Sequence, residues 1–178
     1  MNLGEDAKRA FSLQDYSPAP EIDGVEVADL KRFHDDGGSL IELGRLHGGL
    51  HAAFPGFEVK QINYSEMDPG VIKAFHLHRR QTDVWFVPAG DKMLLVLLDV
   101  RAESRSRNVQ RRLVLGDGTS RLVKIPPGVA HGVKNLAPTR GHIIYFVDTH
   151  FSPAPDGCDE GRLPWDFAGA AIWDVVRG

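Results

Sequence analysis

The chain has 178 residues, 42% hydrophobic and 25% charged, proportions that supply one good core and fit a single water-soluble domain spanning residues 1–178. Its 21 Lys and Arg against 24 Asp and Glu leave a formal charge of −3, so no overall positive field draws a nucleic-acid backbone. Cys158 is the lone cysteine, which excludes an internal disulfide and a cysteine-rich zinc module and points to a reducing compartment, the cytoplasm. The longest apolar run, Met93 to Leu98, is six residues, and charges occupy the start, so neither a membrane span nor a secretory leader is expected.

In chain order, residues 1–20 carry scattered charges and a Ser-Pro-Ala-Pro stretch without a period, and are expected to form an arm. Ala28 to Phe33 has a short helical pattern. From Gly24 onward, turn signals such as Asp35-Asp36-Gly37-Gly38, Asp68-Pro69-Gly70, Gly116-Asp117-Gly118 and Pro126-Pro127-Gly128 separate short apolar or alternating runs. Those runs predict strands over Glu58 to Ser65, Val71 to His78, Val84 to Val87, Met93 to Val100, Arg111 to Leu115, Arg121 to Ile125 and Gly141 to Val147. The tail Ala168 to Val176 again has a helical pattern. Nineteen Gly and eleven Pro favour many short elements over a few long helices, and the class expected is all-β. Five arginines between Arg101 and Arg112 have no interleaved aromatics and are read as a solvated loop and edge strand. Trp85, Phe75 and Phe86 are read as core.

Alternation over Val71 to His78 places Ile72, Ala74, His76 and His78 on one face. Asp83 opens the next strand, and His131 follows the Pro126-Pro127-Gly128 turn. Three imidazoles and a carboxylate are therefore available to one site.

Gly70, five residues, His76-x-His78, four residues, Asp83, six residues and Gly90, followed by Pro126-Pro127-Gly128, two residues, His131, three residues and Asn135, resemble the two cupin motifs. Asp83 stands in the usual Glu position, and Ser120 stands where the second motif begins with Gly. The resemblance implies a cupin jelly-roll barrel with a short N-terminal arm and a C-terminal helical tail. It also implies a ligand set of His76, His78, Asp83 and His131 for one divalent metal, Fe, Mn, Ni or Zn by donor type. The alternative for these four residues is a hydrogen-bonded polar lining.

From Val25 to Trp173 the chain resembles a narrower family, the dTDP-4-dehydrorhamnose 3,5-epimerases. The resemblance runs through Phe33-His34-Asp35-Asp36-Gly37-Gly38-Ser39-Leu40-Ile41-Glu42, Gln61-Ile62-Asn63-Tyr64-Ser65 and Gly70-Val71-Ile72-Lys73-Ala74-Phe75-His76. It continues through Leu98-Asp99-Val100-Arg101, Ile125 to Gly132, Tyr145 and Trp165-Asp166. It implies epimerisation of a nucleotide-linked 4-keto-6-deoxy sugar, with His76 as base, Tyr145 as acid on the opposite face, and Glu42, Gln61, Asn63, Lys73 and His131 binding substrate. No cofactor is then required, and a homodimer is expected. The chemistry needs such a pair, since a proton beside a ketone is removable once the enolate oxygen is stabilised.

Several positions depart from the family. Asp83 replaces a Lys that stabilises the enolate, Gly37 and Lys73 replace arginines, Phe151 replaces a tyrosine and His78 a glutamine. The late aspartate that partners the base has no clear counterpart. A metal-dependent cupin enzyme acting on another small molecule and a noncatalytic sugar-binding cupin remain the alternatives.

Overall fold

The computed structural model describes residues 2–176. Residues 2–21 are exposed throughout, including a six-residue helix, α1 (Glu5–Ala10), which buries no side chain. The strands that follow are β1 (Glu26–Asp29), β2 (Arg32–Asp35), β3 (Gly38–Ile41), β4 (Leu46–His47), β5 (Leu50–His51), β6 (Gln61–Met67) and β7 (Ile72–Leu77). After them come β8 (Asp83–Phe86), β9 (Lys92–Asp99), β10 (Gln110–Gly116), β11 (Arg121–Ile125), β12 (Val129–Asn135), β13 (Gly141–Val147) and β14 (Gly161–Arg162).

Two five-stranded antiparallel sheets, ordered β1-β11-β8-β13-β6 and β10-β9-β12-β7-β14, carry the molecule, with β2-β3 and β4-β5 as separate hairpins. Alternation explains how each sheet is covered on both faces. On β9, Met93, Leu95 and Leu97 enter a core shared with Trp85, Val123 and Ile143 of the other sheet, while Leu94, Val96 and Leu98 face outward. That outward layer is closed by Ile172 and Trp173 of the tail. The outer face of the first sheet, Val84, Phe86, Leu122 and Phe146, lies under Phe54 and Phe57. The expected all-β architecture is therefore present as two layers sharing a core. The expected closed barrel is not, because no strand of one sheet pairs with a strand of the other among the described residues.

Both expected helices are corrected. Ala28 to Phe33 runs from β1 into β2, because β1 pairs with β11 from Glu26↔Lys124 to Asp29↔Arg121 and Ala28 and Leu30, two residues apart, both pack against the outer layer of the first sheet. The tail forms only a 3₁₀ turn, Ala170–Trp173. Trp173 pins that turn by its own burial and by donating from Nε1 to the Trp165 carbonyl at 2.8 Å, so packing rather than helical repetition holds the segment. The arginine-rich stretch does end in an edge strand, β10.

The face predicted for β7 also splits. His131 pairs with His76 but Val133 pairs with Lys73, so one residue of β12 opposes two of β7. Such a bulge reverses the alternation beyond it. Ile72 and Ala74 consequently pack against the outer layer, whereas Lys73 joins the two histidines on the inner side. Gly132 is what lets the strands approach here, since a Cβ on it would lie 2.3 Å from the Ala74 Cβ.

Candidate active site

Strands β7, β8, β12, β13 and β14 enclose a cavity of about 390 Å³ between the sheets. His76, His78, Asp83, His131 and Tyr145 all line it. An adjoining groove of about 480 Å³ shares His76, Tyr145, Glu160 and Arg162 and extends past Gln61, Asn63 and Phe151.

The floor is buried and polar. Asp83, 2% exposed, accepts hydrogen bonds from Gln81 Nε2 at 2.8 Å and Trp85 Nε1 at 3.0 Å. Its Oδ2 also lies 3.5 Å from His131 Nε2 and 3.9 Å from His78 Nε2. Burial pushes the Asp83 carboxyl up, but the His131 and His78 imidazoles and the Trp85 N–H hold it below the usual carboxylate range. His131 Nδ1 sits 3.1 Å from the Val129 carbonyl, and His78 Nδ1 sits 2.7 Å from the Asp159 carbonyl. Carbonyls only accept, so both Nδ1 atoms carry protons and each ring turns its Nε2 toward the carboxylate. His131 Nε2 is buried with no hydrogen-bond partner among the described residues.

The wall carries different chemistry. His76 Nε2 is 3.4 Å from Arg162 Nη1, and its Nδ1 is 3.7 Å from Glu160 Oε2. Since a guanidinium only donates, Nε2 is the accepting nitrogen and Nδ1 carries the proton. Burial lowers the His76 imidazole to about 3, helped by the neighbouring His131, Arg162 and His78, so the ring is neutral at pH 7. Tyr145 is pushed up from its ordinary value by burial and by the charges of Asp83 and Glu160, so its phenol keeps its proton.

Of the other predicted residues, Lys73 lines the cavity with its amine held by Ser65 Oγ at 3.2 Å and the Glu66 carbonyl at 2.8 Å. Gln61 and Asn63 lie in the groove, joined by a 2.7 Å hydrogen bond, and Gln61 Oε1 accepts the Phe151 N–H at 3.0 Å. Glu42 is exposed and pairs with Arg45 at 2.8 Å, outside both the cavity and the groove. The four expected metal ligands separate: His78, Asp83 and His131 bring ligand atoms within 4.8 Å of one another, and His76 stands outside that group.

Sequence reasoning missed Gln81, Glu160 and Arg162. Glu160 and Arg162 flank Gly161, and β14 is too short to show a period. Its place is set instead by Asp159, whose carboxylate accepts the backbone N–H groups of Arg79, Arg80 and Gln81 at 3.1, 2.9 and 2.9 Å. Three such bonds favour the ionised form, which outweighs burial and lowers the Asp159 carboxyl.

A model of the family described as dTDP-4-dehydrorhamnose 3,5-epimerase matches residues 19–171. The chain belongs to that family. It is 42% identical over 145 residues to the spore coat polysaccharide biosynthesis protein SpsL of Bacillus subtilis, covering 82% of this chain and 91% of that protein. The dTDP sugar isomerase of Desulfovibrio desulfuricans G20 is 25% identical with a TM-score of 0.71, over 83% of this chain and 88% of that one. The epimerase RmlC of Legionella pneumophila, solved with dTDP-4-keto-L-rhamnose, shares the fold at 22% identity and a TM-score of 0.64, over 76% of this chain and 72% of that one. Family membership makes the chain an enzyme of the epimerase type acting on a nucleotide-linked 4-keto-6-deoxy sugar, the class expected from the sequence. No helix among the described residues is long and apolar enough to cross a membrane.

Proposed function

We propose that His76 and Tyr145 epimerise the keto sugar in the 390 Å³ cavity by proton removal on one face and return on the other, without a cofactor. The observation that carries this reading is a neutral imidazole with an accepting Nε2 sharing one cavity with a protonated phenol. His76 Nε2 takes the proton from the carbon beside the ketone, and the C–H electron pair moves into the enolate while its oxygen takes the charge. Tyr145 gives its proton to the same carbon from the opposite side, and solvent restores both groups. Glu160, beside Nδ1, is a positioning residue that favours the imidazolium formed in the first half. The adjoining groove, with Gln61, Asn63 and Phe151, takes the nucleotide.

The test is incubation with a dTDP-linked 4-keto-6-deoxy sugar in D₂O. Deuterium enters carbon 3, carbon 5 or both. His76→Ala abolishes entry, whereas Tyr145→Phe keeps proton removal and impairs inversion. A wild-type protein that exchanges no nucleotide-linked keto sugar overturns the reading.

A second reading of the floor is favoured by the orphaned His131 Nε2. His78, Asp83 and His131 have the donor chemistry to hold one divalent ion, Fe, Mn, Ni or Zn, with their Nδ1 atoms oriented by carbonyls in the way that ligating histidines usually are. Such an ion would polarise a carbonyl oxygen. Metal analysis of untagged protein, with His78→Ala as control, decides between an ion and a hydrogen-bonded polar lining.

The two layers are read further as one cupin jelly-roll domain over residues 1–178, with residues 1–20 as an arm, located in the cytoplasm. Exposed Phe33 and Leu40 on the β2-β3 hairpin, and Ile62 and Tyr64 on edge strand β6, support a homodimer. Sedimentation measures it.

A further inference from the structure

Removing a proton beside a ketone requires something to hold the oxygen as it becomes negative, and preorganised donors at that atom are worth several powers of ten. The position where the family carries a lysine for this task is Asp83 here, a buried carboxyl on the cavity floor. An enolate oxygen directed at that floor would meet a carboxyl, which supplies no positive charge. In the reading without a cofactor, the cation comes from elsewhere in the cavity.

Two cationic side chains line it, Lys73 and Arg162. The Lys73 amine is already bonded to Ser65 and the Glu66 carbonyl. Arg162 is exposed, and its contact is with the base itself, Nη1 to His76 Nε2 at 3.4 Å. The contact is built into the sheet: β14 pairs with β7 in the register Gly161↔Leu77 and Arg162↔His76. Position 161 must be glycine for that pairing, since a Cβ there would lie 2.5 Å from the Leu77 carbonyl oxygen.

We propose that Arg162 is a catalytic residue that donates from its guanidinium to the ketone oxygen and stabilises the enolate, taking the place of the lysine absent from position 83. The proposal rests on the reading of the cavity as an epimerase site. Bond lengths set the carbonyl oxygen about 2.4 Å from the carbon that loses its proton. A base and a donor acting on two atoms so close must themselves be neighbours, each about 3 Å from its target. The 3.4 Å between His76 Nε2 and Arg162 Nη1 meets that condition. When substrate enters, the ketone oxygen replaces Nε2 as the acceptor of the guanidinium, which frees the lone pair for the carbon-bound proton. Nε2 gains that proton, the C–H pair becomes the enolate double bond, and the oxygen's charge faces Arg162.

The experiment uses the full chain with Arg162→Met and Arg162→Lys, a dTDP-linked 4-keto-6-deoxy sugar in D₂O, and calorimetric binding of dTDP alone. Arg162→Met is expected to lower exchange at saturating substrate by about 10²- to 10³-fold, the loss seen when one oxyanion donor is removed, while dTDP affinity stays unchanged. Arg162→Lys falls between, and added methylguanidine restores part of the Arg162→Met rate. Exchange within about threefold of wild type in Arg162→Met overturns the proposal and leaves the epimerase reading intact. Weakened dTDP binding with unchanged exchange at saturation also overturns it and makes Arg162 a diphosphate anchor. A wild-type chain that exchanges no nucleotide-linked keto sugar removes both.

Discussion

Replacing Asp83 tests whether the cavity floor is a closed polar network. Asp83→Ala leaves the Trp85 N–H without the acceptor it now has at 3.0 Å, which costs about 1–3 kcal/mol for a buried donor. Gln81 loses its 2.8 Å bond to the carboxylate but keeps His78 Nε2 at 3.4 Å and the Thr149 hydroxyl on its Oε1 at 2.5 Å, so its share is smaller. With the loss of charge between two imidazoles, the total is about 2–5 kcal/mol, or roughly 4–20 °C in Tm for a chain of this length. Asp83→Asn keeps one acceptor but sets its amide against a donor at either oxygen position, and costs less, about 1–2 kcal/mol. Urea unfolding at pH 7 measures both, with an unchanged slope showing that the same surface is exposed. The carboxyl is lowered in the folded protein, so its contribution is present above the unfolded value near 3.8 and is lost as pH falls through the folded one. The difference between wild type and Asp83→Asn should therefore shrink in strong acid. An Asp83→Ala chain within about 0.5 kcal/mol of wild type at pH 7 would mean that water reaches the floor, and the network argument would fail.

His76 makes a separate contribution to acid sensitivity. Its folded value is about 3 against 6.5 unfolded, so the unfolded chain binds the extra proton between those limits and stability falls as pH drops from about 6.5 toward 3, by at most about 1.4 kcal/mol per pH unit. His76→Gln should flatten the urea midpoint over pH 4–6, roughly where half of that window lies, and an unchanged slope would show that the ring is solvated. Gly161→Ala should drive β14 off β7, lowering exchange as Arg162→Met does while leaving the fold's circular dichroism intact. Activity equal to wild type in that variant would show that Arg162 reaches the cavity by another route.

Strands with period-two patterns were legible, and Arg121 to Ile125 and Gly141 to Val147 match their observed bounds. β12 was not legible, because Val129, Ala130, His131, Gly132 and Val133 are buried whichever face they turn to, so no alternation marks them. The mistaken helix at Ala28 to Phe33 has the opposite cause. Its apolar residues suit either period over so few positions, and only the pairing with β11 decides between them.

Offsets between histidines survive folding when they lie within one strand or just after a turn, which is why His76, His78, Asp83 and His131 could be placed around one cavity from their spacing together with the cupin resemblance. Their division of labour could not, since it depends on atoms that spacing does not describe. The carbonyls of Val129 and Asp159 turn His131 and His78 toward Asp83, while Arg162 and Glu160 bracket His76 on the wall. Three of these four partners are more than 80 residues from the histidine they touch or on the far side of a turn, and no local pattern reports such contacts. The same blindness made the absent lysine at position 83 look like a loss of the electrophile. Asp83 rather frees the floor for a buried polar network, and a two-residue strand held by the Asp159 carboxylate brings a guanidinium to the base instead. A single substitution in a motif therefore says which atom has left a position, and only the packing of distant segments says whether its charge has left the site.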